Sequence, residues 1–285
     1  MAVPPWGPDE AGEARLMAGR TVLVTGATDG IGRETARVLF RMGATVIVHG
    51  RSRERAEEAA RVIGTPAGPG RIEIAYADLA SMRAVRALAA EIQRRFERLD
   101  VLLNNAGVYM TERRLTEDGL ETTFAVNHLA PFLLTHSLRP VLERSSPARV
   151  VTVSSIAHQS AQLDFRNLQG ERHFDGYGAY ALSKLANVLF TAELARRLGG
   201  TGVTANCLHP GVIDTKLLRK GFGPGGAPVE RGAETSVFLA SDPGVARLSG
   251  LYFVNRRPAQ PSAAARDPAL ARELWAVSER LAGLA

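Results

Sequence analysis

Tyr180 and Lys184 stand four residues apart in a 285-residue chain that has only three lysines, the others being Lys216 and Lys220. A separation of four places both side chains on one face of a helix. An ammonium beside a phenol favours the phenolate, whose neutral form ordinarily titrates at about 10. A phenol tuned in this way is a general acid or base near neutral pH. An ordinary surface contact would show the same spacing, so the pair takes its meaning from the elements around it.

A second cluster lies near the start of the chain. Thr25-Gly26-Ala27-Thr28-Asp29-Gly30-Ile31-Gly32 follows an apolar strand candidate and opens a helix pattern. Gly26 permits a tight turn, Gly30 a close approach of backbone to a pyrophosphate, and Gly32 close helix–strand packing. The helix N-terminus adds unpaired N–H groups and a positive dipole end, which attract phosphate. About 20 residues on, where NAD-binding versions of this motif place an acid, the chain reads His49-Gly50-Arg51-Ser52-Arg53. A guanidinium there suits a 2′-phosphate, so the expectation is NADP(H) over NAD(H), with Arg33 as a helper. Asp78, in Ala77-Asp78-Leu79, either faces the cofactor or caps the next helix.

The elements that must hold these residues alternate. Thr21–Val24, 45–48, Arg71–Tyr76, 100–103, 149–154, 203–208 and 250–254 read as strands. Helical patterns occupy 31–42, Arg53–Ile63, 81–98, 120–142, from Tyr180 towards 198, and 269–281. Such alternation predicts a single-domain α/β fold, a Rossmann-type doubly wound parallel sheet of about seven strands with helices on both faces. The expected organisation is a flexible lead-in over 1–19, a dinucleotide-binding and catalytic domain over 20–255, and a C-terminal arm and helix over 256–285. Residues 156–178 form a long connection, and 216–229, with its Gly-Phe-Gly-Pro-Gly-Gly-Ala-Pro stretch, reads as a flexible loop where a substrate lid would belong.

Composition narrows the classes. The net charge is +6 and the pI about 10.0, yet the arginines are dispersed, without a basic tail or a basic stripe interleaved with aromatics, so nucleic acid is not an expected partner. No stretch approaches the roughly 20 apolar residues of a membrane span, and residues 1–20 lack the pattern of a secretory signal. The lone Cys207 excludes an intramolecular disulfide and fits a reducing, cytoplasmic setting. Asp164, His173 and Asp175 match no standard metal spacing, so no metal is expected.

Assembled in order, the glycine turn, Asn104-Asn105-Ala106-Gly107, Asn127, Ser154-Ser155, Tyr180 with Lys184, and Pro210-Gly211 resemble the short-chain dehydrogenase/reductase family over residues 20–254. The segments Phe124-Ala125-Val126-Asn127-His128-Leu129 and Ser183-Lys184-Leu185-Ala186-Asn187-Val188-Leu189-Phe190 are most similar to its retinol dehydrogenase and WW-domain oxidoreductase-like branch. The resemblance implies that Tyr180 is the acid/base, that Lys184 binds the nicotinamide ribose and lowers the Tyr180 pKa, and that Ser155 rather than Ser154 holds the substrate oxygen. It implies that Asn127 holds a water relaying protons to Lys184. It places the cofactor against Gly26, Thr28, Asp29, Gly30, Ile31, Arg51, Asp78, Leu79, Asn105, Ala106, Gly107, Tyr180, Lys184, Pro210, Gly211, Val212 and Thr215. Homodimers or homotetramers are known in the family through the helices that bear the Asn and the Tyr.

The expected activity is hydride transfer between NADP(H) and a lipophilic alcohol, aldehyde or ketone. Two alternatives are a carbon–carbon double-bond reductase of the protochlorophyllide reductase type, which the single cysteine disfavours, and a non-catalytic NADP-sensing protein, which the intact Tyr–Lys pair disfavours. His158 and His209 read as structural histidines.

Overall fold

The computed structural model describes residues 16–65 and 68–284. Its elements run β1 (Thr21–Val24), α1 (Gly30–Arg41), β2 (Thr45–Gly50), α2 (Arg53–Ile63), β3 (Arg71–Tyr76), α3 (Met82–Arg95), β4 (Val101–Asn104), α4 (Thr122–Phe124), α5 (Ala130–Arg144), β5 (Ala148–Val153), α6 (Gly176–Arg197), β6 (Val203–His209), α7 (Lys216–Phe222), α8 (Val229–Ser241), β7 (Tyr252–Val254), β8 (Arg257–Ala259) and α9 (Pro268–Leu281). The strands form one sheet in the order β3-β2-β1-β4-β5-β6-β7-β8, parallel throughout except for the β7–β8 pair.

Alternation of side chains across the sheet divides the core in two. Leu23, Ile47, Leu102, Val150 and Ala205 pack with α3, α5, α6 and α9, while Val22, Val24, Val48, Leu103 and Val151 pack with α1, α2 and α8. Strand order reverses between β1 and β4. That switch point opens a crevice at the C-terminal ends of the strands, where ligands bind in open α/β sheets.

The sheet has eight strands where about seven were expected. Asn255 and Arg256 both take positive φ (49° and 63°), the geometry of a two-residue hairpin turn. It folds β8 back as an antiparallel edge strand, a place that tolerates Pro258. Within the expected arm and helix over 256–285, Leu274 and Trp275 of α9 are buried in the core, with Trp275 against Phe132 and Phe190.

Three other expectations change. The helix over 120–142 is interrupted, because Ala125–Leu129 forms a π-helical turn between α4 and α5. The flexible loop over 216–229 contains α7, capped by the Thr215 side chain at Leu218 N–H (3.2 Å), and α8 follows where no helix was expected. Residues 1–15 of the lead-in lie outside the described residues. Met17, at its end, is buried and donates its N–H to the Met42 carbonyl (2.9 Å).

Candidate active site

The glycine turn that opens α1 owes its shape to three glycines with separate reasons. Gly26 has φ +64°, and a Cβ there would meet the Ala106 backbone at 2.9 Å. A Cβ on Gly32 would fall 2.3 Å from Asn105 Nδ2 and 2.4 Å from the Gly26 carbonyl. Gly30 has φ +52°, and its Cβ would project into the gap between the α1 N-terminus and the Thr215 methyl group (3.4 Å). The segment after β4 stitches this turn down: Asn105 Nδ2 donates to the Thr25 carbonyl (2.9 Å), and the N–H groups of Asn105 and Ala106 donate to Thr25 Oγ1 (3.0 and 3.1 Å).

Asp29 caps α1, accepting from Gly30 N–H (2.8 Å), and pairs with Lys216 across the crevice (2.7 Å). Burial pushes its carboxyl upward, but Lys216 and the Gly30 N–H outweigh that and hold it below the ordinary carboxylate value. Asp78 does not cap α3: Ser81 does, and Asp78 instead accepts from Ala80 N–H (3.0 Å). Asp78 and Leu79 line the crevice with Thr28, Ile31, Gly107, Pro210, Gly211 and Val212.

At the far end of β2, Arg51 is exposed and lines the crevice together with Arg55, which sequence reasoning passed over. The two flank the N-cap of α2, Arg51 just before Ser52 and Arg55 in the first turn. His49, also unselected, is buried there and accepts from Gly26 N–H at Nδ1 (3.3 Å). Burial pushes its pKa down to about 4, so it is neutral at physiological pH.

The residues expected to do chemistry gather at the other end of the crevice. Ser155, Tyr180 and Lys184 line a cleft of about 890 Å³. Ser154 Oγ is committed to the Lys184 carbonyl (2.7 Å), whereas Ser155 Oγ accepts from Ala157 N–H (3.2 Å) and lines the cleft with Tyr180. Asn127 sits on the π-helical turn. Its side chain accepts from Val108 N–H (2.7 Å) and donates to the Val108 carbonyl and Ser183 Oγ (both 3.0 Å). A Cβ on Gly107 would lie 3.5 Å from both Asn127 Oδ1 and Lys184 Nζ, so glycine keeps that space open.

Lys184 is 3% exposed, and its Nζ donates to the Val153 carbonyl (3.1 Å). It has no carboxylate partner among the described residues; burial alone pushes its pKa down to about 8. Its Nζ lies 5.5 Å from the Tyr180 ring centroid. Burial pushes Tyr180 up to about 12, partly opposed by Ser155 and reinforced by Tyr177. The ammonium is aimed at a backbone carbonyl and does not outweigh desolvation.

Aromatic residues that sequence reasoning did not select wall this end. Tyr109 and Phe222 pack on the Tyr180 ring (centroids 5.8 and 5.7 Å), and Tyr177 on Phe222 (5.9 Å). Phe222 comes from α7. His158 and His209 act as braces: His158 bonds the Ser155 carbonyl (2.7 Å) and accepts from Ser262 N–H (3.2 Å), and His209 accepts from Ile156 N–H (3.2 Å). Asp175 caps α6 at Gly178 N–H (2.6 Å) and Asp164 bonds Arg166 N–H (2.9 Å). No group of three or more His, Cys, Asp or Glu is placed to hold a metal among the described residues, and no helix among them is long and apolar enough to cross a membrane.

A doubly wound sheet with this cleft at its switch point defines a Rossmann-like oxidoreductase. The chain belongs to the short chain dehydrogenase family, whose profile matches residues 20–222, and it is an oxidoreductase acting on CH–OH or C=O groups. It is 44% identical to retinol dehydrogenase 14 of Mus musculus over 297 residues, covering 96% of this chain and 89% of that protein. It is 42% identical to retinol dehydrogenase 11 of Homo sapiens over 277 residues (94% and 87%). Among solved structures, an uncharacterized protein from Mycobacterium paratuberculosis is 36% identical with a TM-score of 0.79, covering 93% of this chain and 94% of that one. The Pseudomonas aeruginosa RhlG/NADP active-site complex is 28% identical with a TM-score of 0.69 (84% and 96%).

Proposed function

We propose that the protein transfers hydride between NADP(H) and a lipophilic alcohol, aldehyde or ketone, with Tyr180 as the proton donor and acceptor. One observation carries this reading: a buried phenol, one helical turn from a buried ammonium and sharing its cleft with Ser155, opens onto a space lined by Tyr177 and Phe222.

The fit to a dinucleotide rests on the Gly26 and Gly30 backbone, on the Gly30–Thr215 gap into which a Cβ would project, and on the exposed pair Arg51 and Arg55. The Arg51 and Arg55 guanidiniums would hold a 2′-phosphate, a choice supported by the NADP complex of a similar fold. The bound cofactor would supply or accept the hydride. In reduction, Ser155 and Tyr180 donate hydrogen bonds to the carbonyl oxygen as negative charge grows on it. Tyr180 then releases its proton, and the Lys184 ammonium favours the phenolate left behind. In the protein alone the phenol is pushed up and the amine down, so each must gain from the other and from the oxidised, positively charged nicotinamide. Tyr177 and Phe222, which line the cleft, suit an apolar substrate. The buried single thiol at Cys207 supports a reducing, cytoplasmic compartment.

The test is nicotinamide absorbance with a panel of lipophilic aldehydes, ketones and alcohols, retinal and retinol among them because of the relatives' names. Turnover should fall about 100-fold or more in Tyr180→Phe. Full activity in that variant overturns the role of Tyr180. Calorimetry should show tighter binding of NADP than of NAD, with the preference lost in Arg51→Glu.

A further inference from the structure

We propose that His128 is a positioning residue for Lys184, acting through Asn187 and a shared backbone carbonyl and anchored from the C-terminal helix by Ser278. The inference rests on the Tyr180–Lys184 reading above and extends it to residues outside the cleft.

His128 follows Asn127 on the π-helical turn and is fully buried. Phe124, Phe132 and Phe190 surround its ring (centroids 5.0, 6.2 and 6.2 Å). Its Nε2 lies 2.8 Å from Ser278 Oγ of α9, and its Nδ1 lies 3.4 Å from Asn187 Oδ1 of α6. Asn187 Nδ2 donates to the Val153 carbonyl (3.4 Å), the same oxygen that receives Lys184 Nζ (3.1 Å). A continuous polar line therefore runs from α9 to the ammonium, through an apolar interior.

The order of donors along that line is determined by its fixed end. A carbonyl only accepts, so Asn187 must present its NH₂ to Val153 and its oxygen to His128. His128 must then carry its proton on Nδ1 and accept from the Ser278 hydroxyl at Nε2. Burial pushes the imidazole pKa down to about 4, so one ring proton is what it has at neutral pH. Val153 is available for this because the β4–β5 register ends at Asn104↔Thr152, one residue earlier. Lys184 and Asn187 are three apart on α6 and so share a face.

Without the Nδ1 donor, the Asn187 amide is free to turn its oxygen towards the ammonium. That draws Lys184 away from Tyr180 and weakens its support of the phenolate. The ionisable side chains on the cleft side of this line are Tyr180 and Tyr177 of α6 and His209 of β6, which line the cleft, and Tyr109, which packs on the Tyr180 ring. On the His128 side, burial and the Asn187 hydrogen bond are what act on its proton.

The experiment is the pH profile of kcat/KM for alcohol oxidation by the full-length protein, alongside Tm. In His128→Leu the apparent pKa for phenolate formation should rise by about half a unit or more. His128→Asn, whose NH₂ can occupy the Nδ1 position, should return it towards the parent value. Ser278→Ala, which leaves the packed rings in place, should shift it in the same direction by about 0.3 unit or more, and it decides the question if the leucine variant does not fold. Profiles that superimpose on the parent while only Tm falls overturn the proposal, as does a His128→Asn profile equal to that of His128→Leu. Tyr180→Phe separates the two readings. If that variant is inactive while the His128 and Ser278 profiles do not move, the positioning role alone fails; if it stays active, the acid/base reading fails.

Discussion

The two ends of the parallel sheet treat buried charge in opposite ways. At the N-terminal end, Asp100 is 2% exposed and fully answered: Arg20 donates to one oxygen (2.7 Å), Arg98 donates to both (2.6 and 3.0 Å), and Thr21 N–H adds a fourth bond (2.8 Å). Burial pushes the carboxyl up, but these donors outweigh it and hold it below its ordinary value. At the C-terminal end, Lys184 is 3% exposed and donates to one neutral carbonyl, with no counter-charge among the described residues. A charge satisfied inside the protein contributes to folding, whereas a charge left short of partners is available to a ligand. The sheet thus carries a fully paired buried charge at one end and a sparsely partnered one at the other.

Lys184→Met is the strongest way to test that contrast. Turnover should fall about 100-fold or more, while Tm at neutral pH holds or rises, because a methionine carries no uncompensated charge. A clear fall in Tm would break the comparison. The lysine pKa in the folded protein, about 8, lies below its ordinary 10.5. The unfolded chain therefore holds the extra proton between those values, and stability should climb as pH rises through that window in the parent but not in the variant. Denaturant midpoints from pH 7 to 10.5 read this difference.

Asp100→Ala should show the reverse. Stability should drop by about 2–3 kcal/mol, chiefly because the Thr21 N–H is left buried without an acceptor, while turnover per folded molecule is retained. The depressed carboxyl contributes stability above the unfolded value of about 4 and loses it as pH falls through the folded one, so the parent and Asp100→Ala curves should converge in acid. Equilibrium unfolding from pH 7 to 3 measures this. Arg20→Ala should be the smallest effect, under about 1 kcal/mol. Its side chain is 39% exposed and Arg98 still answers Asp100; a loss equal to that of Asp100→Ala would mean that the arginine dominates the cluster.

Much of this was readable along the chain because local rules govern it. Continuous apolar, β-branched runs between helical patterns announced the parallel strands, and the glycine turn announced the switch-point crevice, since backbone geometry there admits few other residues. The Tyr180–Lys184 spacing needed only a helix. Ser154 and Ser155 show the limit: strand alternation says that they face apart, and only the packed α6 shows which hydroxyl is bound to the Lys184 carbonyl. The errors lie where tertiary context overrides weak local signals. Residues 216–222 look like loop, yet the Thr215 cap makes a helix there. The apolar positions of α8, Ala233, Val237 and Ala240, sit at helical spacing but are few. Pro258, Pro261 and Pro268 suggest an arm, yet α9 has a core to join.

The order of chemical groups along the chain was enough to specify a doubly wound dinucleotide fold and the phenol–amine pair, because both depend on contacts within a turn or a helix. Three features depended on elements far apart in sequence: the environment that raises Tyr180 and lowers Lys184, the aromatic wall brought by α7, and the line from Ser278 to Val153. Burial and hydrogen-bond partners are properties of the assembled interior, and no local pattern encodes which distant side chain will arrive there.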